Sequence, residues 1–150
     1  MKISDSIYIH YGNNKFDKNR FIEIENNEWV KPIGGLWASN INAEYGWKDW
    51  CKENNFRECK KDNSFKFRLK DGSKVLIIDS ASKLLDLPKQ ETKYNFSWVN
   101  LDFEQIAKDY DAIEVLISKD SQLYWDLYGW DCDSVLVLNP DNIEIIKVEV

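Results

Sequence analysis

Lys31-Pro32-Ile33-Gly34-Gly35-Leu36-Trp37-Ala38-Ser39 is the stretch on which the reading of the fold turns. Pro32 and the paired glycines punctuate a turn. Gly35–Ser39 then reads as a strand, and the double glycine marks a tight turn or a close backbone approach. Just downstream the period changes. Ala43, Trp47, Trp50, Cys51 and Asn54 recur at helical spacing, so Ala43–Asn54 reads as a helix, with Asn40 or Asn42 as its cap.

Outward from this stretch, Ile7–His10 reads as a short strand and residues 11–34 as a long polar loop. A loop of that length in a compact domain is commonly functional. Phe65, Phe67 and Leu69 alternate with Lys66 and Arg68, which is a half-exposed strand, and Asp71-Gly72 is the dipeptide of a hairpin turn into Lys74–Asp79. Ser80 or Ser82 starts a short helix that ends before Pro88, and 88–98 reads as a polar connector. Asp102 caps a helix whose apolar face is Phe103, Ile106, Ala107 and Tyr110. Ala112–Ile117 reads as a strand, Lys119–Gly129 as an aromatic-rich loop and Ser134–Leu138 as a buried strand. A turn at Asn139-Pro140-Asp141 leads to a last strand, Ile143–Val150. Strands with two or three short helices amount to an α+β class.

The chain has 150 residues, enough for one domain spanning 1–150. Its hydrophobic share of 43% is globular, and its aromatic share of 14%, with seven Trp, exceeds what a core of this size needs. The net charge of −6 argues against general nucleic-acid binding. The charge is uneven: 102–150 carries 12 acids and 3 lysines, which leaves 1–101 at +3 and attractive to a small anion. Cys51, Cys59 and Cys132 form no CxxC, and the first residues lack the apolar run of a signal peptide, so reduced thiols in a cytoplasmic protein are expected. Apolar runs stop at four residues, so no membrane association is expected. With one histidine, His10, zinc patterns fail and no metal site is expected. P-loop and dinucleotide-fingerprint glycine patterns are absent.

Three segments carry chemistry: His10-Tyr11-Gly12, Gly34-Gly35-Leu36-Trp37-Ala38-Ser39 with Tyr45 and Trp47 following, and Tyr128-Gly129-Trp130-Asp131-Cys132-Asp133 before a strand. Their order resembles the ADP-ribosyltransferase superfamily, in particular the branch with a His, a Tyr and an acidic residue typified by the poly(ADP-ribose) polymerase catalytic domain. In that branch a strand ends in His-Gly, a later strand reads roughly Gly-Ile-Tyr-Phe-Ala before a Tyr-bearing helix, and an acid opens a late strand. Here Tyr11 interrupts His-Gly, and Asp131 or Asp133 stands where Glu is usual. The Lys-Pro-x-Gly-Gly-Leu-Trp-x-Ser segment is also similar to small uncharacterised proteins of bacteria and their phages.

The resemblance implies an ADP-ribosyltransferase-like fold of split β-sheets and NAD as cofactor. It further implies a mono-ADP-ribosyltransferase effector, a toxin or phage factor acting on a host protein or other macromolecular acceptor. The alternatives are an inactive binding or inhibitor protein, such as a phage anti-defence factor, and an NAD glycohydrolase. Cleaving the nicotinamide–ribose bond builds positive charge on the ribose, so a site needs an aromatic surface, polar groups for the ribose and a carboxylate near the developing cation. The cofactor-binding candidates are His10, Tyr11, Gly12, Trp37, Ser39, Tyr45 and Trp47, and the catalytic candidates His10, Asp131 and Asp133. Each has a blander reading: a strand His is commonly a structural hydrogen-bonder, and Trp is commonly core.

Overall fold

Apolar–polar alternation and turn chemistry place most elements close to where the sequence reads them. In the computed structural model, which describes residues 6–27, 31–56, 59–91, 98–127 and 129–146, β1 is Tyr8–Tyr11, β2 Leu36–Asn40, β3 Ser64–Leu69 and β4 Val75–Ile78. They are followed by β5 Ala112–Val115, β6 Ser134–Val137 and β7 Ile143–Ile145. The α-helices are α1 Trp47–Glu53, α2 Phe103–Asp109 and α3 Gln122–Asp126, and short 3₁₀ turns include Ala81–Asp86 and Ile117–Lys119. Tyr128, the connector residues 92–97 and residues 147–150 of the expected last strand lie outside the described residues.

The architecture is mixed α+β: one open seven-stranded sheet in the order β4-β5-β6-β2-β1-β3-β7, with few helices. β4 and β5 are parallel and the other neighbours antiparallel. β2 divides its pairing. Leu36, Trp37 and Ala38 face β6, whereas Ser39 and Asn40 face β1. β2 therefore joins the two halves of the sheet, which turns through it. Its curl is measured by one contact. Tyr8 on β1 and Glu114 on β5 lie three strands apart, about 14 Å in a flat sheet, yet the Tyr8 hydroxyl donates to Glu114 Oε1 at 3.3 Å. Between the halves so brought together lie Ala38, Phe67, Leu69, Ala112, Val135 and Val137. The opposite face of β5 and β6 presents Ile113, Val115 and Leu136, which α2, α3 and the Ala81–Asp86 turn cover with Phe103, Ile106, Leu123 and Leu84.

Local chemistry explains the helices. Asp102 accepts from the Gln105 N–H and starts α2 as its composition requires. α1 begins later than expected, at Trp47 and not Ala43. Asn40 closes a turn instead, its Oδ1 accepting from Asn42 N–H and its carbonyl from Ala43 N–H. The cap comes from β2: Ser39 Oγ accepts from the Trp47 N–H at 3.0 Å. At Gly35 (φ +75°) an added Cβ would lie 2.5 Å from Leu136 Cδ1, so the glycine pair is needed for both conformation and approach.

Two expectations are corrected. Asp71-Gly72 does turn the chain, with Ser73 N–H donating to Lys70 C=O, but β3 and β4 do not form a hairpin. β4 is apolar at every position, leaves β3 and pairs in parallel with β5 at the other end of the sheet, where Asp111 accepts from Lys74 N–H. The aromatic-rich stretch Lys119–Gly129 is not all loop, because Leu123 has a core to enter and α3 forms around it.

Glu114 is 8% exposed, and burial pushes its carboxyl above the usual carboxylate range, with Asp133 acting in the same sense. Its raised pKa means that the native state holds the proton more tightly than the unfolded chain does. The Glu114 contribution to stability is thus full below the unfolded value and falls as pH rises through the folded one. Glu114→Gln should stabilise the protein at pH 7 by on the order of 1 kcal/mol. The wild-type-minus-variant difference in denaturant unfolding should shrink toward pH 4; a difference independent of pH would refute this account.

Candidate active site

The division of β2 opens a gap on its β1 side. Pairing of β1 with β2 reaches only Ile9 opposite Ser39. Beyond it the strands part, and His10 bridges the gap: its Nδ1 lies 2.6 Å from the Trp37 carbonyl oxygen. A carbonyl only accepts, so Nδ1 carries the proton. The imidazole packs against Phe65 of β3, with ring centroids 5.0 Å apart.

A cavity of about 230 Å³ lies in this gap, lined by His10, Tyr11, Trp37, Trp47, Lys31 and the two cysteines Cys51 and Cys59. Of the residues that the sequence singles out, four therefore meet: His10, Tyr11, Trp37 and Trp47. The indoles continue an aromatic chain from the core. Phe103 stacks on Trp130, Trp130 meets Trp37 edge-on at 4.7 Å, and Trp37 meets Trp47 at 6.4 Å. Trp37 is thus both core and cavity wall. Burial pushes the Tyr11 phenol up, with Cys59 and Asp49 adding to the shift.

Lys31 is the member of this site that sequence reasoning spent on a turn. Its ammonium lies 5.2 Å from the Trp37 ring centroid and 5.3 Å from that of Trp47. Burial lowers its pKa, against the opposing pull of Asp131. The only available signal was a lysine beside aromatic-rich sequence, which does not fix where its head lies. Cys132 itself is buried, and its thiol is pushed up to about 12 by desolvation, so it stays protonated.

The other named residues sit elsewhere. Ser39 is 3% exposed and fully engaged: its Oγ donates to the Asp133 carbonyl at 2.8 Å while capping α1. Gly12, with φ +116°, donates its N–H to Asn63 C=O and ends β1. The Tyr45 hydroxyl donates to Glu53 Oε2 at 2.6 Å, away from the cavity lining, and its main chain receives Asp133. Asp133 is 2% exposed. Its carboxylate accepts from Ser118 N–H at 2.8 Å, Ser118 Oγ at 2.6 Å and Tyr45 N–H at 3.3 Å. These bonds pin the Ile117–Lys119 turn and the approach to α1 onto β6. Asp131 is half-buried, is not among the residues that line the cavity, and pulls electrostatically on Lys31, which is.

Two shallower depressions adjoin the cavity. One of about 110 Å³ shares His10 and adds Lys15 and Arg20. The other, of about 380 Å³, shares Tyr11 and Trp47 and adds Asn40, Lys48 and Lys66. Among the described residues no cluster of three or more His, Cys, Asp or Glu is placed to hold a metal ion, and no helix is long and apolar enough to cross a membrane.

Asp133→Ala should cost about 2 kcal/mol, because it removes a buried carboxylate that accepts three hydrogen bonds, whereas Asp131→Ala should stay within about 0.5 kcal/mol. Thermal and urea unfolding of the two variants would measure this. Equal losses would show that Asp133 is not the structural anchor.

Comparison of the chain with protein-family models, with curated proteins and with solved structures gives no match.

Proposed function

We propose that the chain binds NAD in the cavity between β1 and β2 and acts as an ADP-ribosyltransferase-like enzyme on a macromolecular acceptor. One observation carries this reading: His10 at the end of β1 and the indoles of Trp37 and Trp47 line a single cavity where the two strands part. Those elements lie far apart in sequence and come from the segments on which the family resemblance rests.

The dimensions and chemistry fit a heteroaromatic ring with a charged tail. A space of about 230 Å³ is below the usual range for a whole drug-sized ligand, ~300–1,000 Å³, so it suits the nicotinamide end alone. The rest of the dinucleotide would run into the adjoining depressions, where Lys15 and Arg20 meet its phosphates beside His10. The bond from His10 Nδ1 to Trp37 C=O fixes the imidazole at the edge of this space.

Bound NAD supplies the ribosyl group: the bond from ribose C1′ to the nicotinamide nitrogen breaks, its electron pair leaves with nicotinamide, and an acceptor nucleophile bonds to C1′ as it loses its proton. The chain's part is electrostatic and positional. The aromatic walls orient the leaving ring, and Asp131 offsets the positive charge that grows on the ribose. Asp133 has no part in that role, because its lone pairs are committed to Ser118 and Tyr45. That commitment also favours a second reading, a binding protein on the same scaffold without transfer chemistry. A host protein as acceptor, and an effector or phage context, follow from the resemblance alone.

The test is calorimetric titration with NAD, followed by an assay for nicotinamide release with and without cell extract. Binding with release, reduced about a hundredfold in Asp131→Asn, supports the enzyme. Binding without release selects the second reading, and absence of binding overturns both.

A further inference from the structure

We infer that Trp37 and Trp47 form a cage for a cationic ring, that Lys31 fills this cage in the free protein, and that the charged pyridinium of oxidised NAD takes its place. The inference rests on the NAD reading above and adds to it a selectivity for the oxidised, positively charged ring over the reduced, neutral one.

The cage already contains a cation. The Lys31 ammonium lies 5.2 and 5.3 Å from the two indole centroids, inside the distance at which the ring quadrupole attracts charge. The two rings stand nearly perpendicular, at 76°, and so form two walls of one corner. Burial of the ammonium is costly, as the lowered Lys31 pKa reflects, so its hold on the cage is open to competition. A flat pyridinium offers both walls more area and a charge that is weakly hydrated.

The Lys31 stem has a track, and the charge of Asp131 pulls on its head. The stem runs past Gly129, where a Cβ would come within 3.3 Å of Lys31 Cγ, Cδ and Cε. The glycine, at φ +89°, leaves a trough in which the methylenes lie while the head moves.

The probes are 1-methylnicotinamide, which is cationic, and nicotinamide, which is neutral and nearly the same size, titrated into the full chain by calorimetry alongside NAD⁺ and NADH. The wild-type protein should prefer the cation in each pair by about tenfold. Lys31→Ala, which empties the cage, should tighten 1-methylnicotinamide by about tenfold and nicotinamide far less. Adding Trp47→Leu should abolish that gain. An indole-to-pyridinium charge-transfer absorption should appear with the two cations and with neither neutral ligand. Thermal melts establish that each variant is folded, and Lys31→Met, which keeps the stem, replaces Lys31→Ala if the latter is not.

If Lys31→Ala weakens NAD⁺ and NADH alike, the lysine is a phosphate contact, and the cage fails while the NAD reading stands. If 1-methylnicotinamide binds Lys31→Ala but no dinucleotide binds any variant, the cage stands and the NAD reading fails. If folded variants bind none of the four, both fail.

Discussion

The way β2 shares its hydrogen bonds is the constraint on which the rest of this molecule depends. Three of its residues pair with β6 and the last two with β1, so the strand belongs to both halves of the sheet. A strand that serves two neighbours at different ends must let one of them diverge. The cavity lies at that divergence, and the His10–Trp37 bond spans it. The same turn folds β1 and β3 over β5 and β6, which buries the Phe67 and Val135 layer and forces Glu114 into contact with Tyr8. Core and cavity are consequences of one geometric choice.

A second layer of constraint fixes the far wall. Trp47 lines the cavity because α1 begins where it does, and α1 begins there because Ser39 and Asp133 hold its approach. Ser39 caps the helix from β2, and Asp133 grips Tyr45 and Ser118 from the foot of β6. Its central members Ser39 and Asp133 are buried and hydrogen-bonded, the condition under which polar groups in a core confer order rather than strain. It also separates two acids that the sequence presents as equivalent. Asp133 holds the scaffold, and Asp131, two residues earlier, stays half-buried and pulls electrostatically on Lys31.

What was legible in the sequence was what is decided locally. α2 could be read at its start and on its buried face because its cap and its apolar spacing are both short-range signals. β3 could be read from its alternation. The Asp71-Gly72 turn was legible as a turn but not as a hairpin, since turn chemistry bends the chain without choosing the next strand's partner. The start of α1 was misplaced because its cap is eight residues upstream on a strand, outside any helical window. In the cavity, His10, Tyr11, Trp37 and Trp47 stood out by residue type and position. Lys31 did not, because a lysine's four-carbon stem lets its charge sit far from where its backbone runs. The fate of Asp133 was hidden for a related reason: burial of a carboxylate depends on donors 15 and 88 residues away.

The line of rings from Phe103 through Trp130, Trp37 and Trp47 to Trp50 has an optical consequence. Indoles whose centroids are 4.7 to 6.4 Å apart exchange excitation far faster than they emit, so light absorbed by any of the four leaves from whichever lies lowest in energy. Trp125, 70% exposed on α3, stands as a solvent-facing emitter. Among these five tryptophans, ultraviolet luminescence therefore divides into a collective component that senses the cavity and a separate one that senses solvent.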